Sequence, residues 1–233
     1  MAAVQTPVRR SALYRRHLAL GAQMAEEHGW QVAAQFSTPE EEARRIWEGA
    51  GLADDSWLGK LDVRGEGLEG LAGTWKSDDT RLWRLARGHA LVTCEPHRTA
   101  AVLEGAKRAL NQRPPEPEAT TDAVVRPPCV HVTDVTSAYS ALLLAGPASR
   151  DVLAKLTALD VSERALPPAT CVQTGLAHVH AIVQREDLGE VPAYRLLVDR
   201  AYGEYVWDAA LHAGHELGIA PFGLRARRLV ERG

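Results

Sequence analysis

The spacing of apolar residues changes period along the chain, and each change marks an element. Leu13, His17, Leu20 and Met24 fall at helical spacing, which predicts a helix over residues 11–29, with Ser11 as N-cap, His28 in the last turn and Gly29 as the stop. A second helix is predicted over 39–50. Thr38 caps it, Pro39 sits in the first turn, where no N–H is needed, and Glu40, Glu41 and Glu42 face the positive end of the helix dipole. Residues 60–64 alternate charged and apolar side chains, as a half-buried strand does, and Gly65 turns the chain into a short helix near 66–72. A strand pair is predicted over 81–94, broken by the turn at Arg87 and Gly88. An amphipathic helix over 97–110 follows, with Ala101, Val102, Ala106 and Leu110 inside.

Beyond it, Pro114, Pro115, Pro117, Pro127 and Pro128 exclude regular helix or central strand. The stretch 111–128 therefore reads as a linker, with an edge strand at 123–125. Strands follow at 129–135 and 139–145, then a turn at Gly146 and Pro147 and a helix over 148–156. Further strands are expected at 171–174 and 176–184, a charged loop at 185–192, a strand at 193–198, a long helix over 200–217 and a last short helix from Gly223.

The two parts repeat each other. LDVRGEGLEGL matches LLLAGPASRDVLAKL as strand, glycine turn and helix, and RLWRLARGHALVTCEPHRTAAVLEGA matches YRLLVDRAYGEYVWDAALHAG as strand then helix. The expectation is one α+β domain over 1–233, duplicated into halves of about 1–110 and 129–233. Tight strand pairs among irregularly placed helices argue against a purely parallel sheet.

Composition narrows the function classes. With 45% hydrophobic and 24% charged residues, the chain can build its own core without disulfides or metal. A net charge of -3 argues against nucleic acid as a partner. No apolar run reaches the ~18 residues a membrane span requires, and the basic N-terminal stretch lacks the apolar core of a signal sequence. Cys94, Cys129 and Cys171 are odd in number and far apart. That fits a reducing, cytoplasmic setting, with the thiols buried as small hydrophobes. His178 with His180 on a strand, and His212 with His215 on a helix, are spaced to share a metal. Neither pair has a third ligand at suitable spacing, so no metal site is expected.

Three segments stand in a specific order that spans nearly the whole chain. The first carries Tyr14, His17, Gly21, Ala22, Met24, Gly29 and Trp30. The second carries Ala50, Gly51, Leu52, Asp54, Ser56, Gly59, Lys60, Val63, Arg64 and Gly65. The third runs from the turn at Gly146 and Pro147 through Tyr202, Tyr205 and Trp207 to the terminal GLRARRL. In this arrangement the chain resembles the glycine-cleavage T-protein (aminomethyltransferase) superfamily and the related folate domains of sarcosine oxidase. The resemblance implies an α+β, internally duplicated folate-binding-domain fold of the aminomethyltransferase type, with tetrahydrofolate in a central channel and a role in one-carbon metabolism. In the T-protein an aminomethyl group arrives on a lipoyl carrier, folate N5 attacks it, ammonia leaves and methylenetetrahydrofolate forms. An aspartate near the folate nitrogens assists.

The chain departs from that pattern in four ways. It ends at Gly233, where the family continues into a C-terminal barrel domain. The stretch after Arg64 and Gly65, which leads in the family to the Asp-Asp-Leu motif, is much shorter. The glutamate that grips the pterin in the family's Gly-Glu…Tyr-Glu-Leu strand aligns with Arg195, and a guanidinium cannot accept hydrogen bonds from the pterin's N–H groups. The histidine after the family's Asp-x-Ser is Trp57 here. The short first half and the strand pair around Trp83 look closer to the sarcosine oxidase gamma subunit, a folate-domain-like chain without a reaction of its own.

The candidate residues each carry two readings. Asp78 and Asp79 are candidates for the folate-side catalytic aspartate, while Ser-Asp-Asp is also ordinary turn chemistry. Arg227 fits the family's folate-contacting arginine, yet Arg225, Arg228 and Arg232 make it equally a member of a solvated basic end. Glu190 matches the family's Gly-Glu pair but lies in a charged loop. Tyr14 and His17 fit a channel mouth or helix packing. Three functions follow: a tetrahydrofolate-dependent one-carbon or aminomethyl transferase, a non-catalytic gamma-like subunit held by a larger protein partner, and a binder of another anionic small molecule clamped by Arg195 and Arg227.

Overall fold

The structure, a computed structural model, describes residues 8–65, 68, 80–111 and 130–232. In chain order its elements are β1 (Arg9–Arg10), α1 (Tyr14–Ala19), β2 (Gln23–Glu27), β3 (Trp30–Gln35), α2 (Pro39–Glu48), β4 (Gly51–Asp54), β5 (Gly59–Arg64), β6 (Thr80–Ala86), β7 (His89–Cys94), α3 (Thr99–Asn111), β8 (His131–Asp134), β9 (Tyr139–Ala145), α4 (Ser149–Leu156), β10 (Thr170–Leu176), β11 (Val179–Arg185), β12 (Ala193–Asp199), α5 (Gly203–Ala213), β13 (Ala220–Pro221) and α6 (Leu224–Val230). They form two compact units. One comprises Met1–Trp57 with Ser137–Gly233, the other Leu58–Thr136. These units cut the chain elsewhere than the expected halves 1–110 and 129–233.

The first unit holds a six-stranded sheet in the order β10-β11-β12-β9-β4-β13 and a small sheet β1-β3-β2. Strand alternation sends successive side chains of β9 to opposite faces. Leu142 and Leu144 join Val152 and Leu153 of α4 and Val206, Trp207 and Ala210 of α5. Leu143 and Ala145 join Ala43 and Ile46 of α2 and Ala226 and Val230 of α6. The second unit holds the sheet β6-β7-β5-β8. Its Leu61, Val63, Val92 and Cys94 bury against Val102 and Ala106 of α3.

The two sheets repeat one design, β6-β7-β5-β8 against β11-β12-β9-β4, with every neighbour antiparallel. The duplication comes with an exchange of strands along the sequence. β4 runs directly into β5 yet pairs with β9, and β8 runs into β9 yet pairs with β5. The two crossover segments match bond for bond. Asp54 Oδ1 accepts the Ser56 N–H and Asp134 Oδ1 accepts the Thr136 N–H, both at 2.9 Å. Asp55 N–H donates to Ala141 O and Val135 N–H to Lys60 O. The Ser56 hydroxyl accepts from Ala141 N–H and the Thr136 hydroxyl from Lys60 N–H, both at 3.0 Å.

Most predicted elements appear near their expected bounds, and Thr38 caps α2 by accepting the Glu41 N–H. Two helices differ. The expected helix over 11–29 stops at Ala19, because Gly21 adopts φ +80, and a β-hairpin follows. His28 and Gly29 both take positive φ, 48 and 77, which is the backbone a two-residue hairpin turn requires. The expected helix over 200–217 is α5 flanked by 3-10 turns at Arg200–Tyr202 and His215–Leu217. β4 is short and buried on both faces, so it carries no alternating pattern that would predict it. The expected short helix at 66–72, the linker 111–128 and Cys129 lie outside the described residues, apart from Leu68 and Asn111.

Candidate functional site

α6 is set in place by a buried anion. Glu42 of α2 is 1% exposed, and its carboxylate accepts three backbone N–H groups: Phe36 and Ser37, each at 2.6 Å, and Gly223 at 2.8 Å. Such charge-assisted bonds offset the burial of the carboxylate. Gly223 comes so close to the β3 end that a Cβ there would lie 2.3 Å from the Ala34 carbonyl. One turn further on, α6 aims Arg227 inward.

There it meets two other elements. Arg195 stands on β12 and Asp55 follows β4. Arg195 Nε donates to Asp55 Oδ2 at 3.2 Å, and an Arg227 terminal nitrogen donates to Asp55 Oδ1 at 2.8 Å. Asp55 is 2% exposed and Arg195 5%. Each guanidinium also reaches an acid nearer solvent, Arg195 to Glu186 at 2.9 Å and Arg227 to Glu231 at 2.8 Å. The site is therefore a carboxylate held between two arginines. The basic lining expected from Arg195 and Arg227 is neutralised from within, and neither arginine stands as an open clamp.

Asp54, next in the chain, points the other way. Its Oδ2 accepts from the Ser11 hydroxyl at 2.5 Å and bonds His17 Nε2 at 2.9 Å. Burial works to raise its pKa, but the bonds from His17, Ser11 and Ser56 outweigh that and hold the carboxyl below its ordinary value. His17 is buried edge-on between Phe36 and Trp207, with ring centroids 5.7 and 5.1 Å away. It is a packing residue of the first unit's core.

The other candidates are placed less tellingly. Tyr14 opens α1, half-buried, with the Arg10 guanidinium 4.4 Å from its ring centroid. Glu190 is exposed in the tight turn closed by Leu188 and Val191. His178 lies in the β10–β11 turn with φ +68 instead of sharing a strand face with His180. Among the described residues no group of three His, Cys, Asp or Glu could hold a metal ion. No helix among them is long and apolar enough to cross a membrane. Asp78 and Asp79 lie outside the described residues. Asp55, which organises the site, went unnoticed in the sequence because its partners lie 140 and 172 positions away.

Beside the carboxylate, Trp57, Val32, Phe222 and Leu224 help to line a crevice of ≈ 10 Å³, room for about one water. A pterin placed against residue 195 would present amino and ring N–H donors to a guanidinium that is itself donating to Asp55 and Glu186. The residues present do not fit a pterin at this position.

Comparison with known proteins agrees with this architecture. The family described as the GCVT N-terminal domain matches residues 71–231. An aminomethyltransferase of Streptomyces coelicolor is 29% identical over 246 residues, covering 95% of this chain and 62% of that protein. The sarcosine oxidase subunit alpha of Corynebacterium sp. (strain P-1) is 27% identical over 258 residues, covering 96% of this chain and 26% of that one. Among solved structures, the glycine cleavage system aminomethyltransferase T of Bartonella henselae superposes with a TM-score of 0.72 at 18% identity, covering 96% of this chain and 62% of that chain. A chain of the heterotetrameric sarcosine oxidase of Corynebacterium sp. U-96 superposes with a TM-score of 0.64 at 19% identity, covering 91% of this chain and 97% of that one. The chain thus spans about 62% of the length of the curated aminomethyltransferase it matches, and over that part its fold is theirs.

Proposed function

The chain belongs to the GCVT N-terminal domain family, and from that premise we propose that it serves one-carbon metabolism of glycine or sarcosine without itself transferring a one-carbon group. The observation that carries this is Asp55 between Arg195 and Arg227. A folate-dependent transfer needs acceptors matched to the pterin and a pocket that holds it apart from water. At residue 195 this chain instead places a cation satisfied by its own carboxylates. We read the protein as a subunit of a larger hetero-oligomer. In support, a chain of the heterotetrameric sarcosine oxidase is covered over 97% of its length by this fold. Trp47, Tyr202 and Tyr205 are between 45% and 49% exposed, and aromatic surface of this kind is enriched where proteins meet.

Calorimetric titration of the purified chain with tetrahydrofolate tests the reading. No saturable heat is expected up to millimolar ligand. Micromolar binding would overturn it and return the chain to the transferase reading, with Asp78 and Asp79 as the carboxylates to substitute first.

A further inference from the structure

The fold itself does not demand charge at the Asp55–Arg195 site. The repeated sheets supply the comparison. Asp54, Asp55 and Ser56 correspond to Asp134, Val135 and Thr136 through identical turn bonds. Pairing then relates Leu142, opposite Asp54, to Leu61, opposite Asp134. One residue further, Leu143 opposes Arg195 and Asp62 opposes Leu91. The second unit therefore has Val135 and Leu91 where the first has Asp55 and Arg195. One copy of the design is apolar at both positions and the other is ionic at both.

Buried ion pairs generally stabilise a fold no better than apolar side chains of similar volume, because two charges lose their water. Their retention points to a use other than stability. The geometry here has a second property. Two guanidiniums from separate elements, β12 and α6, converge on the two oxygens of a single carboxylate, as arginines do around a bound acid.

We infer that Arg195 and Arg227 form a binding site for a small carboxylate, and that Asp55 is its tethered occupant. Glu186 holds a terminal nitrogen of Arg195 and Glu231 the Nε of Arg227, and they keep the guanidiniums in place when the shared carboxylate is exchanged. A free carboxylate must displace Asp55, whose tether presents it at an effective concentration on the order of millimolar or above. The site thus admits only acids that gain further contacts or arrive at high concentration. This goes beyond the reading above, which concerns the pterin, and does not depend on folate.

Thermal unfolding of the full chain and of Asp55→Gly, in sodium formate against sodium chloride at equal ionic strength, tests the inference. Formate is expected to raise the midpoint of Asp55→Gly saturably, by roughly 3–6 °C at tenfold its dissociation constant. The native chain should stay unmoved over the same range, and the rise should vanish in the double variant Asp55→Gly with Arg195→Gln. Should Asp55→Gly be recovered unfolded from chloride, refolding in formate reads the same quantity, and recovery only in formate supports the site. Equal shifts in all three proteins, no shift in Asp55→Gly, or failure to refold in either salt would overturn it.

Discussion

Glu42 and Gly223 are joined across 181 positions of chain by one hydrogen bond, from the Gly223 N–H to the Glu42 carboxylate at 2.8 Å. The same carboxylate binds the N–H groups of Phe36 and Ser37, so it ties the β3–α2 connection to the start of α6. Truncation by Glu42→Ala leaves three donors unpaired, one buried and two partly buried, and is expected to cost about 3–4 kcal/mol. Glu42→Gln keeps an acceptor but sets an amide N–H₂ against a donor, at about 1.5–3 kcal/mol. Gly223→Ala should also destabilise, since its Cβ would meet Ala34 backbone at 2.3 Å. Urea unfolding of the three variants gives the order, and a Glu42→Ala midpoint equal to that of the native chain would contradict the cradle.

The Asp54 carboxyl makes stability depend on acid in a definite direction. Its bonds to His17, Ser11 and Ser56 hold its folded pKa below the unfolded value of 3.8. Its contribution is therefore complete above that value and fades as pH falls through the lower folded one. Below about pH 4 the native chain should lose stability along an acid limb to which Asp54 contributes. Asp54→Asn should be weaker at neutral pH by about 2 kcal/mol and show a shallower acid limb. Parallel acid limbs in urea titrations of the two proteins would show that Asp54 does not titrate in this way.

Much of the architecture was legible because period and punctuation agree along most of the chain. Residues 60–64 form a strand and the turn at Arg87 and Gly88 separates β6 from β7 as expected, but Lys60, read as an outward charge, is fully buried with its Nζ donating to Leu58 O. The N-terminal region misled because Leu13, His17, Leu20 and Met24 are spaced like a helix face. The contrary signal lay in Trp30, Val32 and Ala34, whose alternation fits the alternating burial of β3, beyond a His-Gly turn. The family could be read from motifs spread over the chain. The site could not, since Arg195 was visible as a departure while its partner Asp55 sat inside a motif read through Asp54 and Ser56. Only the repeat, with Val135 in the corresponding place, marks Asp55 as the exceptional member.

The described thiols differ in environment. Cys94 is 3% exposed at the end of β7, and burial pushes its pKa up, only partly opposed by the hydrogen bond to Thr99. Cys171 is half-buried on β10, with a pKa raised by burial as well. A raised pKa and restricted access both slow alkylation, because the thiolate is the nucleophile. Peptide mapping after mild iodoacetamide treatment near pH 8 should find Cys94 unmodified in the native chain and modified after unfolding in urea. Equal labelling of Cys94 before and after unfolding would place it at an accessible surface.

The paired replacement of Val135 and Leu91 by Asp55 and Arg195 can be reversed in the laboratory, and the result separates an ionic device from an ionic support. Asp55→Val removes the shared anion from two buried or nearly buried guanidiniums and is expected to cost about 3 kcal/mol or more. Arg195→Leu leaves Asp55 with Arg227 alone and should cost about 1–3 kcal/mol. In the double variant both positions carry the residues the second unit already accommodates, and Arg227 keeps Glu231. Its stability should return to within about 1 kcal/mol of the native chain, giving a coupling energy of at least about 3 kcal/mol. Strict additivity in urea unfolding would mean that Asp55 and Arg195 stabilise the sheet independently. The apolar copy would then be no guide to what the ionic copy is for.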